Sequence, residues 1–211
     1  MRTQTKEIQQ HLTPEIALQI LKAGNARFMK NLKINRNLLQ QLNETYDGQY
    51  PFAVVLSCID SRASSELIFD QGLGDLFSIR IAGNILNDDI IGSMEFACKV
   101  SGAKIIVVVG HTRCGAIKGA CDDVQLGKLT DLLAKIKPVV EKVRDPEATD
   151  QNSKNEEFVS KVAEANVFNV IEEIKGRSEI LREMLEQKQI GIVGAMYDLQ
   201  TGHIDFYENQ L

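Results

Sequence analysis

The chain has no excess of positive charge, no apolar run of membrane length and no closely spaced cysteine pair. Each absence argues against a class of function. With 24 lysines and arginines against 29 aspartates and glutamates, and a pI near 5.3, it lacks the concentrated basic face that a phosphate backbone demands, so no nucleic-acid partner is expected. The opening MRTQTKEIQQHLTPE has no apolar core of leader length. The longest apolar runs, such as IIVVVG, fall far short of the roughly 20 residues that cross a bilayer, so the expected location is the cytoplasm and no membrane partner is expected. Four cysteines (Cys58, Cys98, Cys114, Cys121) in 211 residues do not make a disulfide framework, because a chain of this size supports its own core. The absence of C-x-x-C weakens thiol exchange. Metal binding or simple burial is the expected fate of these thiols. No internal repeat or low-complexity tract occurs.

What is present is an ordinary globular composition, 44% hydrophobic and 25% charged, that fits one α/β domain over residues 1–211. Residues 14–30, PEIALQILKAGNARFMK, place apolar groups at helical spacing behind Thr13 as a cap and Pro14 in the first turn, which predicts an amphipathic N-terminal helix. Three branched apolar runs, FAVVLS, LFSIRIAG and KIIVVVGH, have the pattern of buried parallel strands, with the helix-like DDIIGSMEFACKVSG between the last two. Beyond Gly115 helices are expected around 128–144 and 155–187, separated by the polar loop DPEATDQNSKN. The C-terminal QIGIVGAMYDLQTGHIDFYE reads as a strand, a Thr201-Gly202 turn and an edge strand. The alternation predicts a mainly parallel sheet flanked by helices.

Two strand ends carry the most reactive side chains, Cys58-Ile-Asp60-Ser-Arg62 after the first run and His111-Thr-Arg-Cys114-Gly115 after the third. Ligands of open parallel sheets collect at such carboxyl ends. Thiolates and imidazole are what Zn2+ prefers, and three protein ligands leave a fourth position free, which is the layout of a catalytic rather than a structural site.

The pair C-x-D-S-R and H-x-x-C-G in this strand context resembles the β-class carbonic anhydrase family. The likeness extends through LTPEIALQILKAGNARF, GLGDLFSIRIAGN and GAMYDLQTGHI, and so covers most of the chain. It implies a lyase that hydrates CO2 reversibly to bicarbonate and a proton, with one Zn2+ per chain on Cys58, His111 and Cys114. Asp60 would orient the zinc-bound hydroxide, and Arg62 would hold Asp60 ionised and away from the metal; were that pairing broken, Asp60 itself would ligate zinc in a closed state. Gln49 falls on the family's substrate-binding amide. Phe77, Ala82, Phe96 and Gly115 fall on positions of the substrate pocket, with Phe96 standing where relatives often carry tyrosine. The resemblance further implies an N-terminal helix packing on a partner subunit in a homodimer or dimer of dimers. A regulated subgroup binds bicarbonate through Trp, Arg and Tyr; here Arg80 and Tyr197 match, but the chain has no tryptophan. Besides His111, the histidines are His11 and His203, both peripheral, so buffer is the expected proton acceptor.

Three other readings stay open at this point. A sister hydrolase on the same fold would act on carbon disulfide or carbonyl sulfide. A zinc-binding or regulatory protein without turnover would have no use for Asp60, Arg62 and Gln49, and a thiol redox protein would use Cys58 and Cys114. The stretch from Gly110 to Lys118 is not a phosphate loop, because its lysine comes two residues late. Cys98 and Cys121 read as incidental thiols, and Glu172, Glu173, Lys175 and Arg177 as a solvated helix face.

Overall fold

The computed structural model describes residues 3–208. Among the described residues there are five strands: β1 (Ala53–Ser57), β2 (Leu76–Arg80), β3 (Ile105–His111), β4 (Gly191–Tyr197) and β5 (Ile204–Tyr207). They form one sheet in the order β2-β1-β3-β4-β5, parallel except for the antiparallel β4–β5 pair. The helices are α1 (Lys6–His11), α2 (Pro14–Met29), α3 (Leu38–Glu44), α4 (Ser65–Ile68), α5 (Asp88–Glu95), α6 (Gly115–Cys121), α7 (Gly127–Leu133), α8 (Lys137–Val143), α9 (Glu156–Arg177) and α10 (Glu179–Glu186). None among the described residues is long and apolar enough to cross a membrane.

Central strands covered on both faces have no use for alternation, and β1 and β3 are accordingly buried at every position. Successive side chains still divide between the faces. Val54, Leu56, Ile106 and Val108 pack under α5, α9 and α10, while Ala53, Val55, Ile105 and Val107 meet Ala17, Leu18 and Leu21 of α2. Each valine, leucine or isoleucine among them contributes about 1.5–3 kcal/mol relative to exposure. The LFSIRIAG run proves to be the sheet's edge, and its alternating exposure reflects the missing neighbour.

The expected N-terminal helix is α2, with the Thr13 hydroxyl accepting from the Ile16 amide and Pro14 in its first turn. Its apolar face is buried against the chain's own sheet. Gly24 makes this seat possible, because a Cβ there would lie 1.7 Å from the Phe69 carbonyl oxygen, which is backbone and has little freedom to yield. Gly24→Ala should therefore destabilise by about 3 kcal/mol or more and lower Tm by roughly 6–12 °C in thermal denaturation. An unchanged Tm would mean that α2 is seated elsewhere.

Two expected long helices are each divided. The 128–144 segment breaks between α7 and α8, where Pro138 in the first turn of α8 has no N–H to continue a helix. The 155–187 segment breaks at Ser178, whose side chain accepts from the Leu181 amide and starts α10. The helix expected after Asp88 widens into a π-turn over Phe96–Val100. Helices α1, α3 and α4 have 6, 7 and 4 residues, too few to establish a period.

Candidate metal centre

Strands β1 and β3 are parallel neighbours with Ser57 beside Val109, so the chain leaves both at the same end of the sheet. Cys58 follows β1, His111 closes β3, and Cys114 is the residue from which α6 starts. The three side chains are buried, and their ligand atoms all lie within 4.8 Å of one another. The Cys58 and Cys114 sulfurs are 3.9 Å apart, against about 3.8 Å between two thiolates on a tetrahedral zinc with 2.3 Å bonds. His111 supplies the sharper test. Its Nδ1 donates to the Thr112 carbonyl at 2.9 Å, which leaves Nε2 as the lone-pair nitrogen, and Nε2 is buried without any hydrogen-bond partner. An orphaned buried acceptor costs about 1–3 kcal/mol, and a metal ion is the partner that removes this cost. The donor set therefore fits zinc.

Electrostatics sets these cysteines apart from the other two. The Cys58–Cys114 hydrogen bond lowers the Cys58 pKa against the cost of burial, with His111 and the Gly83 N–H also favouring its thiolate. The same bond, together with burial, raises Cys114. The pair therefore holds one sulfur ready as a thiolate, and burial opposes charge on His111 while Cys58 favours it. By contrast burial alone pushes Cys98 up to about 12, and burial chiefly, with Asp122, pushes Cys121 up to about 11. Those two thiols are inert by comparison.

Asp60 and Arg62 form the bidentate pair that the fork geometry of arginine favours, with Nε to Oδ1 at 2.9 Å and Nη2 to Oδ2 at 2.8 Å. The Arg62 amide adds a third bond to Oδ1 at 3.0 Å. The Arg62 side-chain hydrogen bond holds the Asp60 carboxyl well below the usual carboxylate range against a smaller effect of burial. From β2, Arg80 donates to the carbonyls of Cys58 at 3.1 Å and Asp60 at 2.5 Å, clamping the turn that carries both residues. A cleft of about 320 Å3 lined by Arg62, Thr112, Arg113, Lys118 and Asp198 opens beside this turn.

Other residues singled out from sequence divide in two groups. Ala82 lies in the short turn whose next amide, Gly83 N–H, donates to the Cys58 sulfur at 3.4 Å. Gly115 follows Cys114 directly, and a Cβ built on it meets nothing within 4 Å, so the space there is open. These two adjoin the metal ligands. Phe77, however, pairs with Val54, four residues before Cys58, which is on the order of 13 Å along the strand. Phe96 stacks edge-on against Phe77 at 6.2 Å and is exposed. Gln49 is an exposed residue ahead of β1, at the opposite end of that strand from Cys58. The chain thus does not bring Gln49, Phe77 and Phe96 to its own Cys58. Arg80 and Tyr197 start from strands three positions apart in the sheet, roughly 14 Å, and Arg80 is already engaged. The sequence reading missed the contribution of Gly83, for which the Gly-Asn pair following a strand was the available turn signal.

Comparison with known proteins supplies independent findings. The family model described as carbonic anhydrase matches residues 53–204. A carbonic anhydrase 2 of Mycobacterium tuberculosis is 33% identical over 196 residues, covering 90% of each chain. The solved structure of the β-carbonic anhydrase CcaA superposes with a TM-score of 0.72 at 25% identity, covering 91% of this chain and 95% of that one. One of the β-carbonic anhydrases of Sordaria macrospora, described as tetrameric, superposes with a TM-score of 0.70 at 25% identity, covering 92% and 96%.

Proposed function

This chain belongs to the carbonic anhydrase family, in its β class, and we propose that it hydrates CO2 reversibly to bicarbonate and a proton at a zinc ion held by Cys58, His111 and Cys114. The observation that carries the reading is the convergence of two cysteines with an orphaned His111 Nε2 at adjacent strand ends. Zinc held there supplies Lewis acidity that lowers the pKa of water toward about 7 and so provides a nucleophile at neutral pH.

The protein's own residues do the orienting. Asp60, kept ionised by Arg62, accepts a hydrogen bond from the attacking oxygen, so that a lone pair faces the carbon of CO2. In the open arrangement Arg62 holds this carboxylate in its bidentate pair, while the Arg80 clamp fixes the backbone of the turn that carries it. Ala82 and Gly115 line the approach. Gln49, Phe77 and Phe96 complete the pocket of a second copy: Phe77 and Phe96 are half-buried and exposed on the free β2 side, and Gln49 is exposed ahead of β1, where one chain cannot use them. A homodimer or dimer of dimers of single-domain chains, acting in the cytoplasm, fits this arrangement. Its closest support is the tetrameric description of a similar structure. Exposed Leu38, Leu39 and Leu42 on α3 give such an assembly apolar surface to cover.

Stopped-flow CO2 hydration above pH of about 7, on protein of measured zinc content with a chelator-treated sample beside it, tests the proposal. We expect one zinc per chain and fast hydration that the chelator removes. Zinc-loaded protein inert toward CO2 but active on carbon disulfide would replace the substrate, and zinc-loaded protein inert toward both would refute the assignment.

A further inference from the structure

Helix α9 lays Val162, Ala163, Val167 and Val170 against the core, and Asn166 sits among them at 1% exposure. A buried amide in such surroundings is costly unless it is bonded. Its Nδ2 donates at 2.9 Å to the carbonyl of Gly83, 83 residues earlier in the chain. Gly83 has φ of 67° and Asn84 φ of 41°, so two successive residues lie in the left-handed region that these two residue types tolerate. A Cβ on Gly83 would come within 2.7 Å of Ile136 Cδ1, so the turn is wedged on that side and tethered by Asn166 through its carbonyl. The N–H of this same Gly83 donates to the Cys58 sulfur.

We propose that Asn166 is a positioning residue for the metal centre, fixing the Ala82–Asn84 turn so that the Gly83 N–H stays on the Cys58 sulfur and tunes its donation to zinc. The inference rests on the reading that zinc occupies the Cys58–His111–Cys114 site. An N–H to sulfur bond withdraws charge from a thiolate ligand, and outer partners of this kind set both affinity and ligand strength.

Asn166→Leu keeps about the size of the side chain, suits its apolar neighbours and removes the donor. Its zinc dissociation constant, from competition with a chromophoric chelator, should rise about 10–100-fold. In the cobalt(II)-substituted protein the thiolate-to-cobalt absorption should shift as well. A purely structural role would lower Tm while leaving that band and the affinity where they were. Should Asn166→Leu fail to fold, Asn166→Ala, which removes the same donor, decides in the same two measurements. Wild-type affinity together with an unmoved cobalt band overturns the proposal. Wild-type protein that binds no zinc at this site would instead overturn the metal reading beneath it.

Discussion

In Cys58→Ser, zinc content should fall well below one ion per chain, and CO2 hydration should fall with it by on the order of 10³-fold or more, since the water loses the ion that acidifies it. Serine offers a neutral hydroxyl where the metal takes a thiolate, and Cys114 loses the thiolate partner that sets its proton. The matched control is Cys98→Ser. That thiol is buried with its pKa pushed up to about 12, so its replacement should leave zinc and rate in place whatever it does to stability. Zinc by atomic absorption and the hydration rate on the same samples are the measurements. Full zinc retention in Cys58→Ser would mean that the ion sits elsewhere.

Asp60→Ala should behave in the opposite way toward the metal, keeping one zinc per chain while kcat/KM for CO2 hydration drops by about 10²–10⁴-fold. The carboxylate lies two residues beyond a ligand but is bonded to Arg62, so its work is to orient and not to bind. The pH dependence follows in sign. A carboxyl group depressed in the folded protein contributes stability above its unfolded pKa of about 3.9, and that contribution is lost only as pH falls through the lower folded value. Asp60 is therefore ionised throughout the neutral and mildly acidic range. A fall in rate between about pH 7 and 5 should then persist, with the same midpoint, in the residual activity of Asp60→Ala. A midpoint that disappears with Asp60 would assign that titration to this carboxylate instead.

The elements that position the metal were those with the strongest sequence signal. Continuous branched runs ending in Cys58 and His111 read as buried strands, and the neighbouring ends of β1 and β3 follow once the sheet is parallel. Thr13 and Pro14 announced α2 for equally local reasons. Errors arose where one local feature outranked a period, as with Pro138 and Ser178, each of which ends a helix that hydrophobic spacing would have continued. The LFSIRIAG run looked like its neighbours, because edge position depends on which strands pair and not on the strand's own residues. Asn166 was illegible for a similar reason. Its partner is 83 residues away, and an asparagine within an apolar helix shows no sign of what it holds.

The sheet order has a consequence for the protein's birth. Cys58, His111 and Cys114 all lie in the first 114 residues, yet β4, which flanks β3 in the finished sheet, and α9, which covers it, come later. At about 5–20 residues per second, the ribosome takes on the order of 4–17 s to go from Cys114 to the end of β4 at Tyr197. During that interval the two sulfurs have emerged without their roof. The nascent chain must either gather its ion before the shelter is built or keep a reactive thiol pair from oxidants until β4 slides in beside β3.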